Sequence, residues 1–466
     1  MSSPSINTVP RPVNVLILAA GLGTRMKSDI AKVLHKLDGR PLIAHVARTA
    51  AALQPQKIHV IIGHQAEEVQ AAVETEVGKE SAGFVHQVEQ RGTGDAVLAA
   101  NDVLAKSNST ILILSGDVPL VRAETLKNLL AAHQSENAAC TILTMRMENP
   151  TGYGRIVRDD QNAFCKIVEQ KDATEEERQI REINSGIYCF DSNNLFDALA
   201  EVRPANNQGE YYLTDVAGIL KNRNERVSLF AHADVREVSG VNTRAELAEF
   251  ENLIRRRNVR RLMLDGGVTF IDPSHAYISS EAQIGRDCVI HPGVHIEGAS
   301  IIGESCEIHQ GSRLCNSRLG NRVIVKDHSL IFDSEIADDC SVGPFAHLRM
   351  GARMAEHAVV GNFVEVKKST IGRGTKSMHL TYLGDATIGA KTNIGAGTVT
   401  CNYDGKHKHP TIIEDNVRIG SDTMLIAPVT VGKGSVTAAG SVVTEDVPPN
   451  TLVAGVPAKV KTKLND

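Results

Sequence analysis

Two stretches carry residue types that could do chemistry. The first is AAGLGTRM, from Ala19 to Met26, directly after the apolar run Val13 to Leu18. Gly21 and Gly23 allow backbone N–H groups to approach a bulky anion, and Arg25 adds positive charge, so the loop reads as a phosphate cradle. It is not GxGxxG, because Met26 stands sixth from Gly21, and no GKS or GKT follows to make a P-loop. Lys32, in KVLHKL, is either a second cation for a polyphosphate or a surface lysine on an amphipathic segment. Asp117, in GDVPL, closes a predicted strand; a carboxylate there beside phosphates points to a divalent ion, Mg2+. Gln87, Gly92 and Thr93, in QVEQRGTGDA, have amide and backbone groups suited to reading a base edge.

The second stretch is KSMHLTYLGDATIGAKTNIGAGTVTCNYDG, from Lys376 to Gly405. His379 stands in a turn-like context where a sequence period breaks, and NYDGKHKH breaks it again. An imidazole has the proton affinity needed to deprotonate an amine attacking a thioester. The chain has 17 histidines, most of them expected on the surface or in ordinary hydrogen bonds; the interrupted period singles His379 out. Glu365 is a candidate to orient it.

These residues sit in two regions of different rhythm. From about residue 13 to 240 strand-like and helix-like segments alternate: VNVLILAA, then PLIAHVARTAAL, KIHVIIG, AEEVQAAVETEV, SAGFVHQ, GDAVLAANDVL and STILILSGDVPLV. That order predicts a mostly parallel sheet covered by helices, with ligands at the carboxyl ends of its strands. From about residue 265 apolar residues recur every sixth position, as in Ile278, Ile284, Ile290, Ile296, Ile302, Ile308 and Leu314. The series slips by one, resumes at Leu319, Val325 and Ile331, and continues through Ile336, Val342, Leu348, Met354, Val360 and Val366. Later members are Ile388, Ile394, Ile413, Ile419, Leu425 and Val431, often followed by Gly. Six fits neither a helix nor a long alternating strand. It fits a short strand plus a turn, three to a coil, in a parallel β-helix whose glycines let the chain turn. An irregular β-sandwich is the weaker alternative. Small residues outside the series, such as Ala346, Ala358 and Ala396, are expected on flat outer faces that self-association would cover.

Between the regions, TRAELAEFENLIRRRNVRRLM begins with a capping box, Thr243 and Glu246, and reads as a solvated connecting helix. The 466 residues exceed one ordinary core. Net charge is -5 with no basic arm, which argues against a nucleic-acid partner, and apolar runs fall short of a membrane span. MSSPSINTVPRP lacks a secretory core and reads as a disordered tail, 1–12. The eight cysteines form no CxxC pair and read as reduced, mostly buried thiols of a cytoplasmic protein.

AAGLGTRM, KVL, QRGTGDA and SGDVPL together resemble the sugar-1-phosphate nucleotidyltransferases; TGYGRI, IVEQKDA, INSGIY, EYYLTD and GVNTRAEL extend the match. With the six-residue repeats, the chain from Val13 to about Lys461 resembles the bacterial bifunctional N-acetylglucosamine-1-phosphate uridylyltransferase/glucosamine-1-phosphate N-acetyltransferase family. The resemblance implies an α/β nucleotidyltransferase with a Rossmann-like, mostly parallel sheet over 13–242, a linker helix over 243–264, and a left-handed β-helix of hexapeptide repeats over 265–466 with a C-terminal tail. It implies that Leu18, Ala19, Ala20, Gly21, Gly23, Arg25 and Lys32 handle the nucleotide phosphates, while Gln87, Gly92 and Thr93 recognise uracil. Asp117 and Asn242 would hold Mg2+, and Gly154, Glu169, Asn184 and Tyr211 would line the sugar pocket. His379 would be the base of the second reaction; Arg349, Lys367, Tyr382, Asn393 and Lys408 would hold its sugar phosphate. Asn402, Tyr403, Ser421, Ala439 and Lys459 would contact acetyl-coenzyme A. UTP and acetyl-coenzyme A would be substrates, and the family implies a homotrimer. Two positions depart from common patterns: Leu22 stands where relatives often have Lys, and Gly455 where some have Arg, which moves the coenzyme's phosphates toward Lys459 or Lys461. Three rivals remain at this stage: a nucleotidyltransferase with a purely structural β-helix, a nonenzymatic assembly subunit, and a Rossmann dehydrogenase. His379 counts against the first, the intact Arg25, Lys32, Asp117 and Asn242 against the second, and the glycine pattern against the third.

Overall fold

The structure, a computed structural model, describes residues 11–464. The chain divides into two compact units, one through Phe250 and the other from Glu251.

The sheet of the first unit runs in the order Val227–His232, Cys140–Arg146, Glu182–Asp191, Thr110–Ser115, Val13–Leu18, Lys57–Ile62, Ala82–His86. Every neighbouring pair is parallel except the two made by Glu182–Asp191. Val13–Leu18 lies between Lys57–Ile62 and Thr110–Ser115, so the chain runs outward in both directions from it and a crevice opens at its carboxyl end. Its alternating residues feed two cores. Val15 and Ile17 pack with Ile43 and Val46 of the helix Leu42–Ala51, while Leu16 packs with Val97 and Leu104 on the opposite face. The segment expected as one helix after the third strand is two short ones, Thr93–Leu98 and Asn101–Leu104. The expected tail lies outside the described residues except for Arg11 and Pro12, and these two are tied down. Thr110 N–H donates to Pro12 O at 2.9 Å, and Arg11 pairs with Asp191.

The boundary between units falls within the helix Arg244–Leu264. Its capping box forms as the sequence predicts: Glu246 N–H donates to Thr243 Oγ1 at 3.2 Å, and Thr243 N–H to the Glu246 carboxylate at 2.9 Å. Toward its end, Val259 and Leu262 enter the core of the second unit, and buried Asn258 donates to Ile278 O and Ser279 O at 3.0 and 2.8 Å. The helix thus plugs the first coil, so one side of it is not solvated.

The second unit is a three-sided parallel β-helix. One ladder stacks Val289–Ile290, Glu307–Ile308, Ile324–Val325 and Ser341–Val342; another stacks Gln283–Ile284, Ile301–Ile302, Arg318–Leu319 and Glu335–Ile336. Every apolar residue of the six-residue series is buried, in one narrow continuous core. Most of the glycines after them have a different cause from the expected one, while Gly343, at φ 96°, turns the chain as expected. Gly285 is not in the left-handed region; a Cβ there would stand 2.7 Å from the Gly303 backbone of the next coil, so close stacking demands glycine. The left-handed corners are taken instead by other residues, among them His328, Phe345 and Phe363. Ala346 and Ala358 are also a correction: both lie in the core, because each stands two residues before an inward-facing one, Leu348 and Val360, and so shares its side of the chain, while Ala396 is half-buried. The C-terminal segment is no loose tail, since Lys459–Lys463 pairs antiparallel with Thr451–Ala454. All eight cysteines are free thiols; Cys165 is exposed, Cys315 and Cys401 are half-buried, and the other five are buried. Among the described residues no helix is long and apolar enough to cross a membrane.

Candidate functional site

In the first unit, residues far apart in sequence meet at the carboxyl end of the central strands. The Lys32 ammonium pairs with the Asp117 carboxylate and donates to Asn242 Oδ1 at 3.1 Å; Arg25 donates to the same oxygen at 2.8 Å. Val241 N–H donates to Asp117 O at 2.9 Å, which holds Asn242 beside it. Gly23, with φ 66°, is required by the protein itself, because a Cβ would collide with Lys32 Cβ. Gly21 is different: a Cβ there would meet nothing within 4 Å, so the loop faces open space. Leu22 is exposed. Leu18, Ala19 and Ala20 form the strand exit, with Gln90 Nε2 donating to Ala20 O at 2.7 Å.

One wall of this crevice is a clasp between two loops. Tyr211 N–H donates to Arg91 O, and Gly94 N–H to Tyr211 O, both at 2.8 Å; Leu213 N–H donates to Thr93 Oγ1 at 3.1 Å. A Cβ on Gly92, at φ 116°, would strike the Tyr211 backbone. Gln87 is buried, its amide donating to Asp95 at 2.9 Å and Gly92 O at 3.3 Å. Gly154 lies 3.2 Å, by its would-be Cβ, from Glu169 Oε1. Burial pushes the Glu169 carboxyl up, opposed by a Thr214 hydrogen bond and reinforced by Asp172 and Asp215. Asn184 N–H donates to Gly154 O at 2.9 Å, and its amide to Tyr188 Oη at 2.6 Å. Sequence reasoning missed Arg155, which is 1% exposed and donates to Gln170 Oε1 at 2.7 Å behind this wall; nothing in a single GYGRI signals its burial.

Two oxygen donors, the Asp117 carboxylate and the Asn242 amide oxygen, already converge on one ammonium. Hard oxygens around a shared positive charge are the donor chemistry of Mg2+, so these residues fit a divalent cation.

In the β-helix, His379 lies on the strand Lys376–Gly384, not in a turn. That strand bends over a corner while staying paired with Val359–Lys367, in the register Asn362↔His379, Val364↔Thr381, Glu365↔Tyr382. His379 is exposed, and its Nδ1–H donates to Asn362 Oδ1 at 2.8 Å, because a carbonyl oxygen only accepts. The Nε2 lone pair is therefore the basic one. Glu365 does not fill the orienting role expected for it. It faces Tyr382, three rungs along, and pairs with Arg349 at 2.7 Å. Sequence reasoning missed Asn362, and the signal that could have found it is its place 17 residues before His379, one coil back on the same corner.

Lys367 is buried, and it holds the neighbouring exposed Lys408 ammonium below its usual range, first through a side-chain hydrogen bond and then through its charge. Two crowded ammonium groups mark a place where a dianion is favourable. Asn393 sits one coil beyond Lys376. Asn402 is buried and donates to Asp385 at 2.6 Å, while Tyr403 is exposed at the base of a hairpin closed by its bridge to Lys408. Ser421 and Ala439 are exposed on successive coils, and Lys459 lies 3.4 Å from Glu445. A cavity of about 400 Å3 opens beside Lys408, Arg353 and Lys368 on another face; it includes none of His379, Arg349, Tyr382 or Asn393.

The fold and these clusters define a nucleotidyltransferase joined to a hexapeptide β-helix. Residues 15–207 match the MobA-like NTP transferase domain, residues 273–371 the GMPPB C-terminal domain, and residues 410–445 the bacterial transferase hexapeptide (six repeats). The bifunctional protein GlmU of Syntrophomonas wolfei is 47% identical over 440 residues, covering 94% of this chain and 96% of its own. That of Geobacillus sp. is 49% identical over 437 residues, 94% of each chain, and that of Heliobacterium modesticaldum 48% over 450 residues, 97% and 96%. A solved UDP-glucose pyrophosphorylase bound to UDP-glucose is matched at 18% identity over 53% of this chain, with a TM-score of 0.42, too distant to bear on the assignment. The chain belongs to the bifunctional GlmU family.

Proposed function

We propose that this chain makes UDP-N-acetylglucosamine in two steps: acetyl transfer from acetyl-coenzyme A to glucosamine-1-phosphate, then uridylyl transfer from UTP to N-acetylglucosamine-1-phosphate. The observation that carries the reading is the presence, in one GlmU-family chain, of both the Arg25–Lys32–Asp117–Asn242 cluster and the His379–Asn362 pair. Residues 13–242 perform the second step, 243–264 link, and 265–466 perform the first.

In acetyl transfer His379 Nε2 takes the proton as the sugar amine attacks the thioester carbonyl; the C–S bond breaks and the thiol leaves. Asn362 fixes the tautomer, and Arg349, Lys367, Lys408, Tyr382 and Asn393 grip the sugar phosphate. Asn402, Tyr403, Ser421, Ala439 and Lys459 receive the coenzyme. In uridylyl transfer a phosphate oxygen of the sugar attacks the α-phosphorus of UTP and pyrophosphate departs. The nucleophile is already an anion, so the protein's work is alignment and charge screening. Arg25 and Lys32 screen, the open backbone at Gly21 admits the phosphates, and Gln87, Gly92 and Thr93 hold the base. Glu169, Asn184, Gly154 and Tyr211 hold the sugar. Asp117 and Asn242 would hold Mg2+, which screens phosphate charge when bound.

Self-association as a homotrimer is supported by an exposed apolar ladder on one corner. Phe345, Phe363 and Leu380 are each at least half exposed, and the two phenyl rings stack at 5.3 Å. Leu380 adjoins His379, so a second copy seated there would reach the base. The free thiols and phosphorylated substrates fit a cytoplasmic location.

The test is a split assay by mass spectrometry. UTP, Mg2+ and N-acetylglucosamine-1-phosphate in one tube should yield UDP-N-acetylglucosamine; acetyl-coenzyme A and glucosamine-1-phosphate in the other should yield N-acetylglucosamine-1-phosphate. Product in the first tube alone reduces the β-helix to a scaffold, and silence in both overturns the catalytic reading.

A further inference from the structure

Neither reaction uses His291 or His309. They follow Ile290 and Ile308, which pair directly, so the two imidazoles stand one coil apart and stack with centroids 4.8 Å apart and planes 15° from parallel. Both Nε2 atoms approach the same oxygen, Glu307 Oε1, at 3.2 and 3.3 Å. The three candidate ligand atoms lie within 4.8 Å of one another, the one such group among the described residues. His309 Nε2 is buried and has no hydrogen-bond partner; its approach to the carboxylate is close but not aligned as N–H···O. On the other side of that ring, Asp327 Oδ2 lies 3.7 Å from His309 Nδ1.

A tetrahedral cation with bonds of about 2.0–2.1 Å keeps its ligand atoms about 3.3 Å apart. The two nitrogen-to-oxygen separations match that edge. An unpartnered nitrogen facing a carboxylate oxygen at this spacing is the arrangement that a shared metal completes. Two imidazoles and one carboxylate select a borderline transition ion of the Zn2+ type over Mg2+ or Ca2+, which favour oxygen alone. Asp327 is placed to orient the His309 ring from behind.

We propose that His291, Glu307 and His309 form a Zn2+ site that clamps two successive coils, with water completing the coordination. The site is separate from the acetyl-transfer residues. Continuing the ladder from Ile308 through Val325, Val342 and Val360 to Ser377 takes four coils, roughly 19 Å at the usual strand spacing.

The test uses the full-length chain, stripped with a chelator and titrated with Zn2+ against a chromophoric competitor in excess Mg2+. One tightly held Zn2+ per chain is expected. The double variant His291→Gln/His309→Gln should bind about 100-fold more weakly or worse, and Asp327→Asn about tenfold more weakly. Far-UV circular dichroism checks folding; should the double variant fail it, Glu307→Gln carries the same expectation. No Zn2+ held by the folded parent, or undiminished affinity in the folded ligand variants, overturns the proposal.

Discussion

The two clusters are assembled in opposite ways. At the sheet crevice, Arg25, Lys32, Asp117 and Asn242 arrive from loops up to 217 residues apart, and each needs the whole sheet to place it. On the β-helix, His379 and Asn362 are one coil apart, as are Arg349 and Glu365, so each contact is set by a single rung. A crevice site therefore depends on a global fold, whereas a ladder site depends on local register.

The sharpest way to separate the two is His379→Ala. Acetyl transfer should fall by about 10²–10⁴ while uridylyl transfer is unchanged; equal loss in both assays would mean the activities are not independent. Lys32→Ala should do the reverse, lowering uridylyl transfer by about 10²–10³ with acetyl transfer intact. A core truncation tests the dependence on register. Ile331→Ala empties a fully buried position and should cost about 2–5 kcal/mol in denaturant unfolding of the β-helix, taking acetyl transfer with it first.

Acidification should act on the first unit through His133. This side chain is 4% exposed, and burial, aided by the Arg11 charge, pushes its pKa down to about 4. The unfolded chain binds that proton near pH 6.5 and the folded one does not, so the stabilisation is complete above pH 6.5 and lost as pH falls toward 4, by about 3 kcal/mol. His133→Gln should flatten the pH dependence of melting in that window; an unchanged slope would remove His133 as its cause. The smallest effect is expected for Asn362→Ala. Losing the Nδ1 acceptor frees the His379 tautomer and ring, and acetyl transfer should drop on the order of tenfold with little change in the Michaelis constant for acetyl-coenzyme A.

How much of this was legible follows the same division. The six-residue period gave the β-helix and the buried series from Ile278 to Val431, because a solenoid repeats its burial at a constant step. It did not give the reason for the glycines at 285 and 303, since close approach between coils is a property of stacking and not of one coil's pattern. Nor did it place Ala346 and Ala358 indoors. The alternation of segments gave the first unit's sheet but could not bring Asn242 to Lys32; only the motif resemblance named that residue. Glu365 is the charged candidate of the sequence, and the register assigns the orienting role to neutral Asn362. Charge is visible in a sequence, and which rung faces which is visible only once coil length is fixed.

The plug made by Val259, Leu262 and Asn258 closes one end of the solenoid, while the other end closes on the hairpin of Thr451–Ala454 and Lys459–Lys463. Between these lids each coil touches only the one before and the one after. A gene could therefore gain or lose a whole turn between His309 and Arg349 by duplication or deletion, leaving both lids and the catalytic rungs in register. The unit of evolutionary tinkering in this half of the molecule is the coil, and its natural insertions come in steps of about 18 residues.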